Sequence, residues 1–200
     1  MVRPRANARL ITLLPAVILM GCSDLSLPTD APPRMSASTS ALAAKGSDHA
    51  GAIIGHDSCD PASFDAVLGE GACAKPGGLT FQALIAELSA TQTVRSWRFN
   101  PLQVTTHAGE ALLVQNVGGV EHTFTPVRQF GGGFIPDLNA LSGNPVPAPE
   151  CLNVPALDFV LSGEKSLISG AALASVADAS GIAKVECCLH PWMRTEVRIK

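Results

Sequence analysis

The sequence predicts an all-β protein, a Greek-key β-sandwich or barrel with one short N-terminal helix and a long loop insertion. Apolar and polar side chains alternate in short runs from residue 102 to residue 200, and glycine and proline separate these runs. Helical spacing of apolar residues is clear only over residues 80–90. Short alternating runs between turns are typical of antiparallel sandwiches and barrels.

The composition permits a packed core and excludes one class of partner. The 200 residues are 46% hydrophobic and 16% charged, with a formal net charge of −3. Because a nucleic-acid-binding surface is basic, we expect no nucleic-acid partner. The length suits a targeting segment followed by one ordinary domain.

The first residues have the features of an export signal. Residues 1–9 contain three arginines and no acidic residue, and residues 10–20 form an apolar run that is shorter than the roughly 20 residues a membrane span needs. The "LMGC" that follows resembles the lipobox of bacterial lipoproteins. This resemblance implies that residues 1–21 are a lipoprotein signal peptide and that Cys22 is lipidated. A plain secretory signal is the alternative.

The residues after Cys22 predict where and how the protein is held. In such lipoproteins an aspartate directly after the cysteine signals retention at the inner membrane, so Ser23 favours the outer membrane or the cell surface. Residues 22–51 are rich in small residues, Ser, Thr and Pro, and predict a lipid-anchored flexible linker. We therefore expect an exported protein of the cell envelope, tethered to a membrane by its lipid.

Residues 52–93 are predicted to be an N-terminal extension of the domain that follows. The stretch is turn-rich at first and is bracketed by Cys59 and Cys73. A short helix is expected over residues 80–90, where Thr80 can cap the N-terminus. The apolar residues at helical spacing are Phe81, Leu84, Ile85 and Leu88.

Residues 94–200 are predicted to form the β-domain. Alternation indicates strands in "PLQV", "ALLVQNV", "VEHTF", "LDFVL", "KVECCLH" and "TEVRIK". The side chains predicted to face inward are Leu102, Val104, Val120, His122, Phe124, Leu157, Phe159, Leu161, Val185, Cys187, Leu189, Val197 and Ile199. Residues 129–156 form a long Gly- and Pro-rich insertion, which indicates a functional loop or a lid.

Two adjacent cysteines near the end of the chain are predicted to have different roles. Successive side chains of a strand point to opposite faces. Cys187 therefore falls on the apolar, inward face, whereas Lys184, Glu186 and Cys188 fall on the polar face.

The inward cysteine belongs to a set of residues that suits a metal. Cys187, His190 and Met193 form a C-x-x-H-x-x-M motif at a strand end, and His122 is an inward-facing histidine on another strand. A lone inward histidine is usually a core residue. Two imidazoles, a thiolate and a thioether are, however, the ligand set of a mononuclear copper site in an electron-transfer protein.

These residues resemble those of the cupredoxins, the type-1 blue-copper family. In "WRFNPLQVTTHAGEALLVQNVGGVEHTF", the family positions are held by Phe99, Pro101, Gly109, Asn116 and His122, and "VECCLHPWM" resembles the short ligand loop of amicyanin. The resemblance covers residues 94–200. It implies one type-1 copper bound by His122, Cys187, His190 and Met193. It also implies that Thr123 forms hydrogen bonds near the ligand loop.

The resemblance implies an electron-transfer protein rather than an enzyme. We expect a monomer that passes electrons to a redox partner protein through the exposed edge of His190, beside Pro191 and Trp192. A copper storage or delivery protein is one alternative, although such proteins usually bind metal at exposed Met- and His-rich sites. A metal-free structural domain of the same fold is another.

The resemblance leaves four cysteines for disulfides in an oxidising compartment. If Cys22 is lipidated and Cys187 binds copper, Cys59, Cys73, Cys151 and Cys188 remain, and they allow three pairings. We favour Cys59–Cys73 with Cys151–Cys188, while the two crossed pairings and a redox-active Cys188 stay open. His107 is expected at the surface. His56 and Asp57 are expected in an ordinary turn, with a second metal site as the alternative.

Overall fold

The computed structural model describes residues 51–200. The predicted signal peptide 1–21, the predicted lipid site Cys22 and the linker up to residue 50 lie outside the described residues. Within 51–200, no helix has both the length and the apolar character needed to cross a bilayer.

Ten strands and four short helices make up the described part of the chain. The strands are β1 Ile53–His56, β2 Arg98–Asn100, β3 Gln103–Thr106, β4 Leu112–Asn116, β5 His122–Thr123, β6 Thr125–Val127, β7 Phe159–Val160, β8 Lys165–Ile168, β9 Ile182–Glu186 and β10 Arg194–Ile199. The helices are α1 Pro61–Leu68, α2 Phe81–Thr91, α3 Pro136–Leu141 and α4 Gly170–Val176, and 3₁₀ turns occupy Pro149–Cys151 and Val154–Ala156.

Two four-stranded sheets form a β-sandwich. The first has the order β2-β1-β4-β8 and the second β3-β10-β9-β6, while β5 and β7 form a separate antiparallel pair. Each large sheet contains one parallel pair, β1 with β4 and β3 with β10, and its other pairs are antiparallel. The predicted all-β sandwich is confirmed.

The core lies between the two sheets. Ile53 and Phe99 of the first sheet and Val185 and Val197 of the second are fully buried in one apolar cluster. Burying an aliphatic or aromatic side chain of this size stabilises a fold by about 1.5–3 kcal/mol. The core is thus the main source of stability of the sandwich.

The helix predicted over residues 80–90 is confirmed as α2. The Thr80 side chain accepts a hydrogen bond from the Ala83 N–H at 3.2 Å, which satisfies one of the free donors at the helix start. Leu84 and Leu88 are buried, as their spacing predicts. The expectation of a single short helix is wrong, because α1, α3 and α4 also form. Each has only six to eight residues, too few for a helical period to stand out.

The predicted N-terminal extension contributes a strand to the sandwich. β1 lies between β2 and β4 in the first sheet, where Ile53 pairs with Val114 and Gly55 with Phe99. A side chain at Gly55 would come within 3.0 Å of the Phe124 ring, so glycine permits close packing there. The four residues of β1 are too few to show an alternation in the sequence.

The inward-facing set is wrong at two leucines. Leu102 is 72% exposed because β3 begins only at Gln103, and Leu161 is 50% exposed because β7 ends at Val160. Val160 is buried instead, opposite His122. Thr123 is buried along with its neighbours because the strand pairing changes at this point: β5 pairs with β7, and β6, which follows it, pairs with β9.

The insertion 129–156 covers the outer face of the second sheet. Cys151 and Cys188 are fully buried there with Val127 and Ala148 in a second apolar cluster, against which Phe130 and Phe134 pack. This cluster explains why Glu186 and Cys188 are buried although their strand positions predict a polar face. They do point away from the main core, but they point into the insertion rather than into water.

Glu186 ties the insertion to the sheet. Its Oε2 accepts a hydrogen bond from the Gly131 N–H at 3.0 Å and lies 3.6 Å from Arg194 Nε. Arg194 in turn donates to the Gly131 carbonyl at 2.7 Å. Burial raises the pKa of Glu186 to about 8, against the opposing effects of the Gly131 hydrogen bond and the Arg194 charge.

The structure contains the disulfide pairing that the sequence analysis favours. Cys59 bonds to Cys73 and Cys151 to Cys188, with sequence separations of 14 and 37 residues. Cys187 is the free cysteine of the described residues.

We predict that the Cys151→Ala/Cys188→Ala variant loses about 3–4 kcal/mol of unfolding free energy, because this bridge removes the entropy of a long loop from the unfolded chain. The matched Cys59→Ala/Cys73→Ala variant closes a shorter loop and should lose about 3 kcal/mol. Urea denaturation of the purified protein measures both values. A loss below 1 kcal/mol for the longer loop would show that the insertion is held by packing alone.

Candidate metal centre

Three potential ligand atoms converge at one end of the sandwich. His122 Nδ1 and His190 Nδ1 are 3.2 Å apart, and Cys187 Sγ lies 3.8 Å from the first and 3.5 Å from the second. A point equidistant from these atoms is about 2.0 Å from each, close to the roughly 2.0–2.1 Å that separates zinc from a histidine nitrogen. The three atoms could therefore hold one ion of that size.

His122 is placed by β5 and by the loop that precedes it. The Asn116 side chain donates to the carbonyls of Val120 at 2.6 Å and Val160 at 2.9 Å, and its oxygen accepts from the Gly118 N–H at 2.9 Å. A buried amide thus shapes the turn between β4 and β5 and links it to β7. These contacts fix the direction from which His122 enters the site.

Cys187 and His190 are placed by the tight loop between β9 and β10. The Cys187 N–H donates to the Met193 carbonyl at 3.1 Å, the His190 N–H to the Cys187 carbonyl at 3.2 Å, and the Met193 N–H to the His190 carbonyl at 2.8 Å. Cys187 and Met193 are fully buried, and His190 is partly exposed. The structure thus brings together the three predicted nitrogen and sulfur ligands, with the Met193 side chain buried in the same loop.

Thr123 connects the two ligand segments. Its N–H donates to Cys187 Sγ at 3.4 Å, and its hydroxyl accepts from the Cys188 N–H at 2.8 Å. These hydrogen bonds lie where the family resemblance implied them for Thr123. An N–H directed at a buried sulfur stabilises negative charge on it.

The electrostatics of the cluster favour a thiolate. Burial alone raises the pKa of the Cys187 thiol, but the charge of His190 and hydrogen bonds to both histidines outweigh burial and hold the pKa well below its usual value. Burial also lowers the pKa of His122, whereas its hydrogen bonds to Asp57 and Cys187 raise it to about 9. The thiolate is the form of cysteine that binds metals.

Asp57 is a residue of the site that the sequence analysis missed. Its Oδ2 lies 3.0 Å from His122 Nε2, and both side chains are fully buried. Asp57 was expected in an ordinary turn with His56, with a second metal site as the alternative. A carboxylate beside a histidine that is distant in the chain leaves no pattern in one sequence. The companion His56 is partly exposed, and His107 is exposed as expected.

Each disulfide lies beside a segment that carries a ligand. Cys188 directly follows Cys187, and its bridge to Cys151 anchors the insertion there. Cys59 lies against the loop before His122, where a side chain at Gly119 would come within 2.6 Å of Cys59 Sγ. Ala74, next to Cys73, also donates its N–H to the Gly119 carbonyl at 2.8 Å.

Aromatic side chains pack against both histidines. The buried Trp97 ring meets His190 edge to face at 4.8 Å and His122 at 6.2 Å, and Trp192 meets His190 at 5.5 Å. Phe64 of α1 stacks on Trp97 at 5.7 Å. The two histidine rings therefore have little room to rotate.

A cavity of about 930 Å³ opens beside His190. Its wall is largely apolar and is formed by the predicted extension, the insertion and the ligand loop. The apolar residues include Phe81, Leu84, Ile85, Leu138, Leu141 and Leu189, and the charged ones are Glu70, Glu121 and Asp137. The metal ligand that faces this cavity is His190, whereas His122 is fully buried.

The residues present fit copper by their chemistry. A thiolate suits Cu(I), imidazoles tolerate Cu(II), and two histidines with one cysteine form the trigonal set of a blue-copper site. The three atoms are mutually close enough to bind one ion. They are held by β5 and by the loop between β9 and β10, and both segments are hydrogen-bonded in place.

The solved structures similar to this chain include a purple cupredoxin, an amicyanin and a plastocyanin. A purple cupredoxin from Nitrosopumilus maritimus is 16% identical with a TM-score of 0.33, and the match covers 54% of this chain and 86% of the other. Amicyanin from Paracoccus versutus is 15% identical with a TM-score of 0.31, covering 58% and 88%. A mutant plastocyanin of a fern is 18% identical with a TM-score of 0.31, covering 52% and 89%.

No known protein family and no curated protein matches the sequence. At the identities and TM-scores of the three structures, the likeness does not establish membership of a family. The functional reading therefore depends on the residues of the site.

We predict that the protein binds one metal ion per chain through Cys187. The Cys187→Ser variant should lose binding at least 100-fold, because a neutral hydroxyl replaces the thiolate. The Cys151→Ala/Cys188→Ala variant should still bind one ion, because it keeps all three converging atoms. Titration with Cu(II), followed by metal analysis after gel filtration, measures both. Equal losses in the two variants would mean that the adjacent cysteines have been assigned to the wrong roles.

Proposed function

We propose that the protein is a copper-binding electron-transfer protein with one mononuclear type-1 site. The observation that carries this proposal is the buried triangle of His122 Nδ1, His190 Nδ1 and Cys187 Sγ. Met193, which is buried in the same loop, would complete the proposed ligand set. Bound copper would supply one-electron exchange between Cu(II) and Cu(I).

The rigidity of the protein around the ligands supports electron transfer. Cu(I) and Cu(II) prefer different geometries, and ligands that cannot move keep the rearrangement between them small. Here His122 is hydrogen-bonded to Asp57. Cys187 Sγ accepts from the Thr123 N–H, and the Cys187 N–H donates to the Met193 carbonyl. Both disulfides lie beside these segments.

The same features argue against catalysis and against copper delivery as the main role. Two of the three converging ligands and Met193 are fully buried, so a substrate has little access to an ion held among them. A delivery protein must release its ion, which needs exposed ligands. The proposed role is therefore an outer-sphere, non-enzymatic one.

His190 is the proposed point at which electrons enter and leave. It is the ligand that faces the apolar cavity, with Leu138 and Leu189 near it. An apolar surface beside a redox centre suits a short-lived contact of small area with a partner protein. Because Glu70, Glu121 and Asp137 line the cavity, the partner's contact surface should be apolar with basic residues around it.

The remaining part of the proposal concerns location. We propose that the protein is exported, held at the outer membrane or cell surface by lipid on Cys22, and monomeric. Two disulfides support an oxidising compartment, since such bonds are rare where thiols are kept reduced.

The experiment that tests the function is optical. On addition of Cu(II), the purified protein should develop an intense visible absorption band from charge transfer between the Cys187 thiolate and the metal. The band should vanish on reduction with ascorbate and return on reoxidation, with one electron exchanged per copper ion. A protein that binds copper without such a band, or that releases the ion on reduction, would contradict the proposal and favour delivery.

A pair of matched variants tests the entry point. Leu138→Arg places a cation in the cavity beside His190, whereas Leu167→Arg places the same charge on an exposed residue of β8. We expect Leu138→Arg to slow reduction by the cationic complex hexaammineruthenium(II) at least fivefold at low salt, with a smaller effect at high salt, because nearby charge steers the encounter. Stopped-flow absorbance measures the rates. Equal effects of the two variants would place electron entry elsewhere.

A further inference from the structure

The buried carboxylate of Asp57 contacts His122, the histidine that does not face the cavity. Asp57 Oδ2 accepts from His122 Nε2 at 3.0 Å, so Nε2 carries a proton. In the neutral, metal-binding form of the ring, the Nδ1 lone pair then points towards Cys187 and His190. Asp57 also accepts from the N–H groups of Gly119 at 2.8 Å and Val120 at 3.2 Å. No solvent reaches its side chain.

The surroundings leave Asp57 no freedom to move. A side chain at Gly118 would collide with Asp57 Oδ2, so the loop passes directly over the carboxylate. Two residues further on, Cys59 is bonded to Cys73, and the Asp57 and Cys59 segment packs against the loop before His122. The carboxylate is therefore held at a fixed distance from the ring.

The charge of the site depends on this carboxylate. With a Cys187 thiolate and an Asp57 carboxylate, two negative charges are buried close together, and among the described residues the ion-pair partner of Asp57 is His122. A site with neutral histidines is then electrically neutral with Cu(II) and carries one net negative charge with Cu(I). Burying net charge is costly, so the neutral state is favoured.

We propose that Asp57 is a positioning residue that orients His122 and stabilises the oxidised metal, giving the centre a lower reduction potential than an uncharged acceptor at this position would. The inference rests on the proposed copper site. Carboxylates bonded to metal-binding histidines fix the ring nitrogen that carries the proton and make the other nitrogen a stronger ligand.

The proposal gives the N-terminal segment a role at the metal. Residues 52–93 supply β1 to the first sheet, and the residue directly after β1 is Asp57. The Cys59–Cys73 disulfide then secures the segment that delivers the carboxylate. The segment is thus part of the centre and acts on it through His122.

The test replaces the charge and keeps the shape. In Asp57→Asn, an amide oxygen in the place of Oδ2 can still accept from His122 Nε2 and from the Val120 N–H. The negative charge is gone, and the amide nitrogen replaces the oxygen that accepts from Gly119. We expect Cu(II) affinity to fall about 10–100-fold and Cu(I) affinity to fall less. Each tenfold change in the ratio of the two affinities raises the reduction potential by about 59 mV. Competition titrations for each ion and voltammetry of the copper-loaded protein measure these quantities independently.

Two further variants separate charge from packing. Asp57→Glu retains the charge in a longer side chain and should shift the potential by less than a third of the change seen in Asp57→Asn, even where it destabilises the fold. Asp158→Asn removes an exposed carboxylate elsewhere and should leave the potential unchanged. Nitrogen NMR of the His122 ring in the metal-free protein provides a readout that needs no copper. At a pH well above 9, where the ring is neutral, Nε2 should carry the single proton in the wild type.

The outcomes distinguish this inference from the proposed function. If the wild type binds copper with an intense visible band and Asp57→Asn leaves the potential unchanged, the inference is wrong and the copper site stands. Equal losses of Cu(I) and Cu(II) affinity would reduce Asp57 to a packing role and also overturn it. If the wild type forms no such copper site, the proposed function and the inference fail together.

Discussion

The convergence of two imidazoles and a thiolate in a buried space is the constraint on which the rest of the structure depends. A buried unpaired charge costs several kcal/mol, so such a cluster persists only where its members are paired and hydrogen-bonded. Cys187 has the Thr123 N–H and both histidines, and His122 has Asp57. Because the ligands compensate one another, moving any one of them leaves the others unpaired, and the surrounding elements resist that movement.

The two segments added to the sandwich each secure one ligand. The insertion 129–156 buries Cys188 in its own apolar cluster, and Cys188 is covalently next to the cysteine ligand. The N-terminal segment places Asp57 against His122 and packs the Cys59–Cys73 bridge against the preceding loop. Both segments also line the cavity beside His190. They therefore determine the stability of the site and the surface that a partner would meet.

The sequence predicted those features that depend on the local alternation of side chains. It missed those that depend on packing against segments distant in the chain. Alternation along the strands predicted that Cys187 and Cys188 lie on opposite faces and that His122 points inward. Both predictions follow from the two-residue repeat of a strand. The same rule predicted a solvated Glu186, which is buried because a distant insertion covers that face. β1 and Asp57 were missed for a related reason. A four-residue strand has too few residues to show a pattern, and the contact of Asp57 with His122 spans 65 residues.

The two histidines of the centre differ in their surroundings, and this difference suggests a division of roles. His122 is sealed inside and bonded to a fixed anion, so its environment can change the energy of the metal without contact with solvent or a partner. His190 faces the cavity, and within residues 51–200 no carboxylate is hydrogen-bonded to its ring, so its environment governs access. In the proposed centre, the surroundings of His122 would therefore set the reduction potential, and those of His190 would set the choice of partner. Gly119 and Val120 line the cavity and also donate to Asp57, so they belong to both sides of this division. Substitutions at cavity residues that do not contact Asp57, such as Leu138, could change the partner without changing the driving force.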